Sequence, residues 1–303
     1  MQDSHHQKQI ITGIGLAVLA TIIWSGNFIV ARGVIKVIPP VTLSFYRWLT
    51  ATIILIPFAW KYFVKEWRLI KENFPYFFFV SVTGVSMFNT FVYIAGHYSE
   101  AINLALIGTT SSPIISVILA KIFLKERISF IRITGMIICI TGILLLLSKG
   151  NFHTLLTFSF SKGDWWILAA AFSFAIYNTM VKKKPSAMNG INFLFVVFGL
   201  GTVMLIPFYL YELNTTGGFA INISTLSVIL YLGLGTSVIC FLLWNIAISK
   251  LGTGRTALFG NLIPVFSSIE AVLILGEKLN WIYYTSFALV ITGLVIANLQ
   301  KRN

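Results

Sequence analysis

Acidic side chains are the scarcest chemistry in this sequence, with nine Asp and Glu against 22 Lys and Arg in 303 residues. No pair of carboxylates falls inside an apolar run, so the acid–base couple an intramembrane hydrolase needs is missing. Histidine occurs only at positions 5, 6, 97 and 153, too dispersed for a metal-ligand cluster. The two cysteines, Cys139 and Cys240, both lie within apolar segments, where they read as small buried residues and not as a disulfide framework or a metal site. No Gly-x-x-x-x-Gly-Lys phosphate loop occurs, and no soluble nucleotide domain is present to use ATP. Together these absences argue against an enzyme and imply no metal and no cofactor.

What the chain has in abundance is hydrophobicity. It is 57% hydrophobic and only 10% charged, with a mean hydropathy of +0.87. So much apolar surface does not fit into one water-soluble core, and a lipid bilayer is the expected surrounding. The net charge of +13 would suggest nucleic acid in a soluble protein. Here the cations sit in short loops between apolar runs, as membrane orientation requires, so no nucleic-acid partner is expected.

Ten apolar runs are long enough to cross ~30 Å of hydrocarbon, near 11–34, 40–60, 75–96, 102–123, 131–148, 164–181, 190–210, 224–248, 256–275 and 281–299. They are continuous and do not alternate, which predicts helices and excludes a β-barrel. The polar segment Met1 to Gln9 leads into a run longer than a signal-peptide core, without a small-residue cleavage pattern, and reads as a retained first span. With the N-terminus inside, fifteen basic residues collect on one side, and only Arg32, Lys36, Lys149, Lys162 and Lys278 fall on the other. The positive-inside rule therefore places both termini in the cytoplasm.

The chain also repeats itself. Shifted by 151 residues, Thr110–Arg127 matches Asn261–Lys278, with Pro113 under Pro264, Ser116 under Ser267 and Glu126 under Glu277. Leu-Ile-Pro-Phe occurs at 55–58 and 205–208, Gly84 matches Gly235, and Thr141-Gly142 matches Thr292-Gly293. The expected units are 1–148, holding spans one to five, and 164–303, holding spans six to ten, with 149–163 as connector. Five spans per unit is odd, so the second copy is inverted in the membrane. Inverted repeats are a transporter signature, although duplicated pores and membrane enzymes also exist.

Several residues stand out as candidates for the transport path. Pro113 and Pro264 each remove a helical hydrogen bond, which predicts kinks that act as hinges, although prolines are common in membrane helices. Ser86, Asn89, Tyr93 and His97 share one face of span three by their three-four-four spacing, and the matching face of span eight carries Ser237, Cys240 and Trp244. Trp24 and Asn27 in span one have Phe174 and Tyr177 as counterparts in span six. These aromatics and amides either line a substrate site or simply pack helices together.

Charges inside spans are the sharpest signal, because each costs at least ~2.5 kcal/mol at a helix centre. Lys121 lies near a span end and is read as snorkelling. Arg47 and Glu270 lie deeper, ~4 Å and ~7 Å to the outer side of the midplane at ~1.5 Å per residue. They either bind a charged substrate or a coupling proton, or form a static ion pair. Asn261 joins them as a candidate, although it stands half a helical turn from Glu270 and shares its face only if the Pro264 kink re-aims one of them. Glu126 and Glu277 end spans four and nine, where the helix dipole disfavours an anion, so a compensating contact is expected. With Ser129 and Asn280 as N-caps three residues on, these read as structural corners.

The ten runs, the five-plus-five repeat, Trp24-Ser-Gly-Asn27, Arg47, and the segments Pro113 to Glu126 and Pro264 to Glu277 together resemble an EamA-type member of the drug/metabolite transporter superfamily. The resemblance spans almost the full chain. It implies a ten-helix, all-α polytopic fold around a central cavity, with spans five and ten peripheral. It implies movement of small organic solutes, often amino acids or metabolites and commonly outward, across a bacterial inner membrane. Glu270 is not carried over from the family's pattern, so its role rests on the cost of a charge in lipid. The reading that follows is a secondary transporter driven by an ion gradient, with protons as the candidate ion, or by the solute's own gradient. An uncoupled facilitator or channel is the alternative. An aromatic-rich site with a few amides and charges suits an amphipathic zwitterion better than a sugar or a bare ion.

Overall fold

The computed structural model describes residues 2–34, 37–98, 101–151, 153, 156, 160–275 and 281–298, with side chains for all but 2–6, 27–34, 101–106, 109, 271, 272, 274 and 275. Every regular element among them is helical. Seven helical stretches are long and apolar enough to cross a membrane: Gln7–Gly26, Pro40–Lys65, Phe74–Tyr98, Phe130–Leu147, Gly190–Thr216, Ile223–Leu251 and Trp281–Asn298. Large apolar side chains such as Phe58, Trp60, Ile137, Val203 and Val295 face outward, the arrangement expected where lipid is the solvent.

The first half contains α1 (Gln2–Val34), α2 (Pro40–Lys65), the short α3 (Trp67–Glu72), α4 (Phe74–Ser81), α5 (Phe88–Tyr98), α6 (Ala101–Leu124) and α7 (Phe130–Leu147). The second contains α8 (Lys162–Val181), α9 (Gly190–Thr216), α10 (Ile223–Leu230), α11 (Cys240–Leu251), α12 (Thr253–Leu258), α13 (Ile263–Leu275) and α14 (Trp281–Asn298). Local chemistry sets many of the ends. Pro40 opens α2, where its missing N–H costs nothing. Ser129 caps α7 by accepting from the Arg132 N–H, and Asn189 caps α9 through the Ile191 N–H. Gly217, left-handed at φ 75°, closes α9.

Two helix joints depart from α geometry at matching places. A π-helical stretch, Val82–Met87, joins α4 to α5, and another, Tyr231–Ile239, joins α10 to α11. The two proline sites are less alike. Pro113 lies within continuous α-helical structure in α6. Pro264 is the second residue of α13, directly after a 3-10 stretch at Phe259–Leu262. A 3-10 break therefore precedes Pro264, while the helical run through Pro113 is uninterrupted. In α6 the surrounding turns keep their α-helical bonding despite the missing N–H.

Pairs of matching helices pack against each other in opposite directions. In α2 and α9, Thr52 meets Thr202 at 3.4 Å, while Tyr46 meets Tyr209 and Phe63 meets Phe195. Their ends are tied by reciprocal caps. Glu212 accepts from the Val41 and Thr42 N–H groups, and Glu66 accepts from the Asn189 N–H and the Asn192 side chain. In α7 and α14, Cys139 Sγ donates to the Val290 carbonyl, 151 residues away. Here Gly135 faces Gly293 and Ala297, and Gly142 faces Ser286. Added methyls at these glycines would meet backbone atoms at 2.4–2.9 Å, so close helix approach requires them.

Candidate functional site

Arg47, on α2, is 1% exposed. Its guanidinium reaches both halves of the chain. Nε donates to Ser237 Oγ at 2.7 Å and Nη2 to the Thr236 carbonyl at 3.2 Å, both in the second π stretch. Nη1 donates to Asn89 Oδ1 and to the Tyr93 hydroxyl, both on α5, at 2.9 Å each. The charge also lies 5.1 Å from the centroid of the Trp48 ring, a favourable cation–π arrangement. The π geometry explains part of this set, because it interrupts the regular i→i+4 ladder and leaves carbonyls available to side chains. The Thr236 carbonyl accepts from Trp24 Nε1 as well, at 2.8 Å.

The polar face read from span three is therefore real in part. Asn89 and Tyr93 meet on one cation, whereas Ser86 turns to the Gly201 carbonyl and His97 to the Tyr93 carbonyl. Two hydrogen-bonding capacities remain open around Arg47. A guanidinium carries one more N–H than these four acceptors use, and Asn89 Nδ2 is buried without a partner among the described residues.

Glu270, on α13, is half-buried and does not pair with Arg47. Arg68–Glu72 is the ion pair formed among the described residues, so the static-pair reading is not realised here. Instead Glu270 Oε1 accepts from Ser25 Oγ at 2.7 Å, and Oε2 is buried with no partner among the described residues. The Tyr231 side chain lies within electrostatic reach of both charges and donates to the Ile23 carbonyl at 2.7 Å. Gly26 makes room for it, since a methyl there would sit 2.4 Å from the Tyr231 hydroxyl. Sequence reasoning missed Ser25 and Tyr231. Ser25 stood inside the Trp24-to-Asn27 motif, but nothing in the spacing of Tyr231 marks it.

The aromatic candidates come together as a packed cluster. Trp24 lies 5.0 Å from Trp244 and 5.9 Å from Phe174, and Phe174 stacks on Tyr177 at 5.9 Å. Phe241, unmarked in the sequence, touches Trp24, Trp48 and Tyr177 edge-on. All of these rings are at most 9% exposed, so they fill the bundle interior and do not line an open space. Their polar tips are also engaged, with Tyr177 donating to Asn245 Oδ1 and Trp244 to Asn178 Oδ1. Gly84 in the first π stretch fits against Tyr177, whose ring would meet an added methyl at 2.1 Å.

Asn261 stands apart from this group. Asn261 is fully buried beside the Cys139 thiol and shares no hydrogen bond with the Arg47 set among the described residues. The 3-10 turn directs it toward α7, leaving Glu270 to face α1. The Asn27 side chain lies outside the described residues, as do Glu277, Lys278 and Asn280. The compensating contact expected of Glu126 is present. Its oxygens accept from the Thr253 and Gly254 N–H groups at 2.9 and 3.2 Å, where the carboxylate meets the favourable end of α12.

The profile of the EamA-like transporter family matches this chain twice, over residues 11–148 and 161–299. The chain belongs to the EamA-like transporter family. Similar proteins include an uncharacterized transporter of Archaeoglobus fulgidus, 28% identical over 91% of this chain and 93% of its own length. A probable amino-acid metabolite efflux pump of Escherichia coli is 24% identical, covering 93% of each chain. A probable terminal-alkyne amino-acid exporter of Streptantibioticus cattleyicolor is 26% identical over 93% of this chain and 91% of its own. A crystal structure at 16% identity superposes with a TM-score of 0.75 over 96% of both chains and shares the fold. This EamA-like protein is accordingly a multi-pass membrane transporter.

Proposed function

We propose that this transporter exports small zwitterionic metabolites, amino acids or close relatives, by alternating access. One observation carries the reading. Arg47 and Asn89 hold spare buried donors, and Glu270 holds a spare buried acceptor, yet the two charges do not neutralise each other. A zwitterion brings a carboxylate for the first group and an ammonium for the second, and the surrounding aromatic rings suit its apolar part. The amino-acid exporters among its relatives support the same class.

In this reading ten spans form two inverted five-helix repeats, 1–148 and 164–303, joined by 149–163. The antiparallel crossings of α2 with α9 and of α7 with α14 support the inversion. Trp24, Asn27, Tyr93, Tyr177 and Trp244 contribute to the path around Arg47, Asn89 and Glu270 once the packed rings part during the transport cycle, while Asn261 stands farther from it on the α7 side. Pro113 and Pro264 act as hinges, with the 3-10 stretch before Pro264 as the softer of the two. The positive-inside distribution supports a bacterial inner membrane with both termini in the cytoplasm.

Glu270 is also the candidate proton carrier, releasing its proton as the ammonium binds. Uptake of a labelled amino-acid panel into proteoliposomes, with and without a pH gradient, tests both parts. Transport of at least one amino acid that responds to the gradient in the wild type, and loses that response in Glu270→Gln, is expected. Gradient-independent flux in the wild type would leave an uncoupled facilitator. No flux of any amino acid would reject the substrate class, and comparing metabolites released by cells with and without the gene would then identify the cargo.

A further inference from the structure

A second polar site lies away from Arg47, at the bundle end where α6, α8 and α11 finish and α7 and α12 begin. It is a cleft of about 340 Å³ lined chiefly by Glu126, Arg127, Arg132, Lys182, Lys250 and Arg255. Five cations surround one carboxylate, and that carboxylate is occupied by the backbone N–H groups of α12. Two of the lysines are committed to the walls. Lys182 Nζ donates to the Ile248 and Ser249 carbonyls, and Lys250 donates to Gln9.

The arginines are less fully used. Arg255 is 8% exposed and gives Nη2 to the Asn298 carbonyl, but among the described residues its Nε is buried without a partner, as is the Nε of Arg132. Burial, and then the charge of Arg132, push the Arg255 pKa down, against the opposing pull of Glu126. An arginine does not shed its proton under such pressure, so both guanidiniums stay charged beside a single carboxylate. Arg127 is exposed at the cleft mouth and makes no hydrogen bond among the described residues.

We propose that this cleft binds a phosphate group, with Arg132 and Arg255 as its inner ligands and Arg127 at its rim. A single carboxylate would offset too little of the excess charge, whereas a phosphate offers several oxygens to forked guanidinium donors. The cleft lies at helix ends rich in Lys and Arg, where anionic headgroups of the adjoining leaflet gather. The phosphate comes either from such a lipid or from a free phosphate compound. Arg132 belongs to the first half of the chain and Arg255 to the second, so the bound group ties the halves together at this end and stabilises the state in which Glu126 caps α12.

The test uses the full-length protein in neutral detergent. Thermal unfolding is followed with inorganic phosphate against chloride at equal ionic strength, and with phosphatidylglycerol against phosphatidylcholine in mixed micelles. Stabilisation by inorganic phosphate identifies free phosphate as sufficient, and stabilisation by phosphatidylglycerol alone identifies the lipid headgroup. Either result is expected to weaken in Arg127→Gln, whose exposed side chain holds nothing else in place. It is expected to disappear in Arg132→Gln/Arg255→Gln, with affinity by native mass spectrometry falling at least ~10-fold. If the double variant does not fold, Arg127→Gln decides. The control Lys61→Gln/Lys65→Gln removes two exposed cations outside the cleft and is expected to respond like wild type. The proposal is overturned if neither probe stabilises the wild type, if Arg127→Gln responds as the wild type does, or if the control loses the response equally.

Discussion

Arg47 is placed so that its loss disturbs binding and packing together. Four hydrogen bonds hold it across two helices and a π stretch, and bonds to a charged group contribute ~1.5–3 kcal/mol each. Arg47→Lys keeps the charge but not the fork, so it cannot serve Ser237, Asn89 and Tyr93 at once. It is expected to retain membrane expression and to lose transport by ~10-fold or more, read as initial rates in proteoliposomes. Rates equal to wild type would show that the fork is dispensable. Gly252 offers a second residue-level test. It stands at φ 88°, and a methyl there would meet Glu126 Oε1 at 2.9 Å. Gly252→Ala is expected to lower stability by ~1–3 kcal/mol, seen as a lower midpoint in thermal unfolding.

At the scale of elements, the matching glycines decide which helices approach closely. Gly135 and Gly293 bring α7 and α14 into backbone contact. Gly293→Ala would place a methyl 2.6 Å from the Cys139 N and the Gly135 carbonyl, with no flexible side chain to yield. The expected result is a loss of several kcal/mol of stability or failure to accumulate, whereas Gly15→Ala, which meets nothing within 4 Å, is expected to be neutral. Comparing detergent-extracted yields and unfolding midpoints of the two variants checks this. The π stretches have a different role. Tyr231–Ile239 presents the Thr236 carbonyl to both Trp24 and Arg47, so the interruption in helical bonding is part of the site.

For the whole molecule, the charge distribution predicts that both termini share the cytoplasmic side. Reporter fusions at each end are expected to show both termini in the cytoplasm; opposite reports from the two ends would mean an odd number of crossings, and an external report from both would invert the orientation. The cap at the end bearing Glu126 belongs to this scale as well. Glu126→Gln removes the charge from the cap on α12, a change worth ~1 kcal/mol. It is expected to increase labelling of a cysteine placed at Leu251, which is 8% exposed with the cap formed. Unchanged labelling would show that the cap does not control access at this end.

The sequence by itself determined the helical membrane class and singled out Arg47 as a charge inside an apolar span. Each follows from properties that survive without tertiary contacts: run length, periodic spacing and the cost of charge in lipid. It also predicted that Glu126 would find a compensating contact, because the helix dipole acts within its own element. Which partners meet was decided only by the tertiary structure. Trp24, Phe174 and Trp244 were marked, but their mutual packing, and Phe241 within it, depend on how three helices cross. Asn261 and Glu270 lie on one segment, and the 3-10 stretch before Pro264 sends one toward α7 and the other toward Ser25. Likewise, nothing in chain order tells whether Arg47 pairs with Glu270 or with Ser237, Asn89 and Tyr93. That choice rests on a few ångströms of helix placement and on a carbonyl freed by a π turn, neither of which is encoded in local sequence.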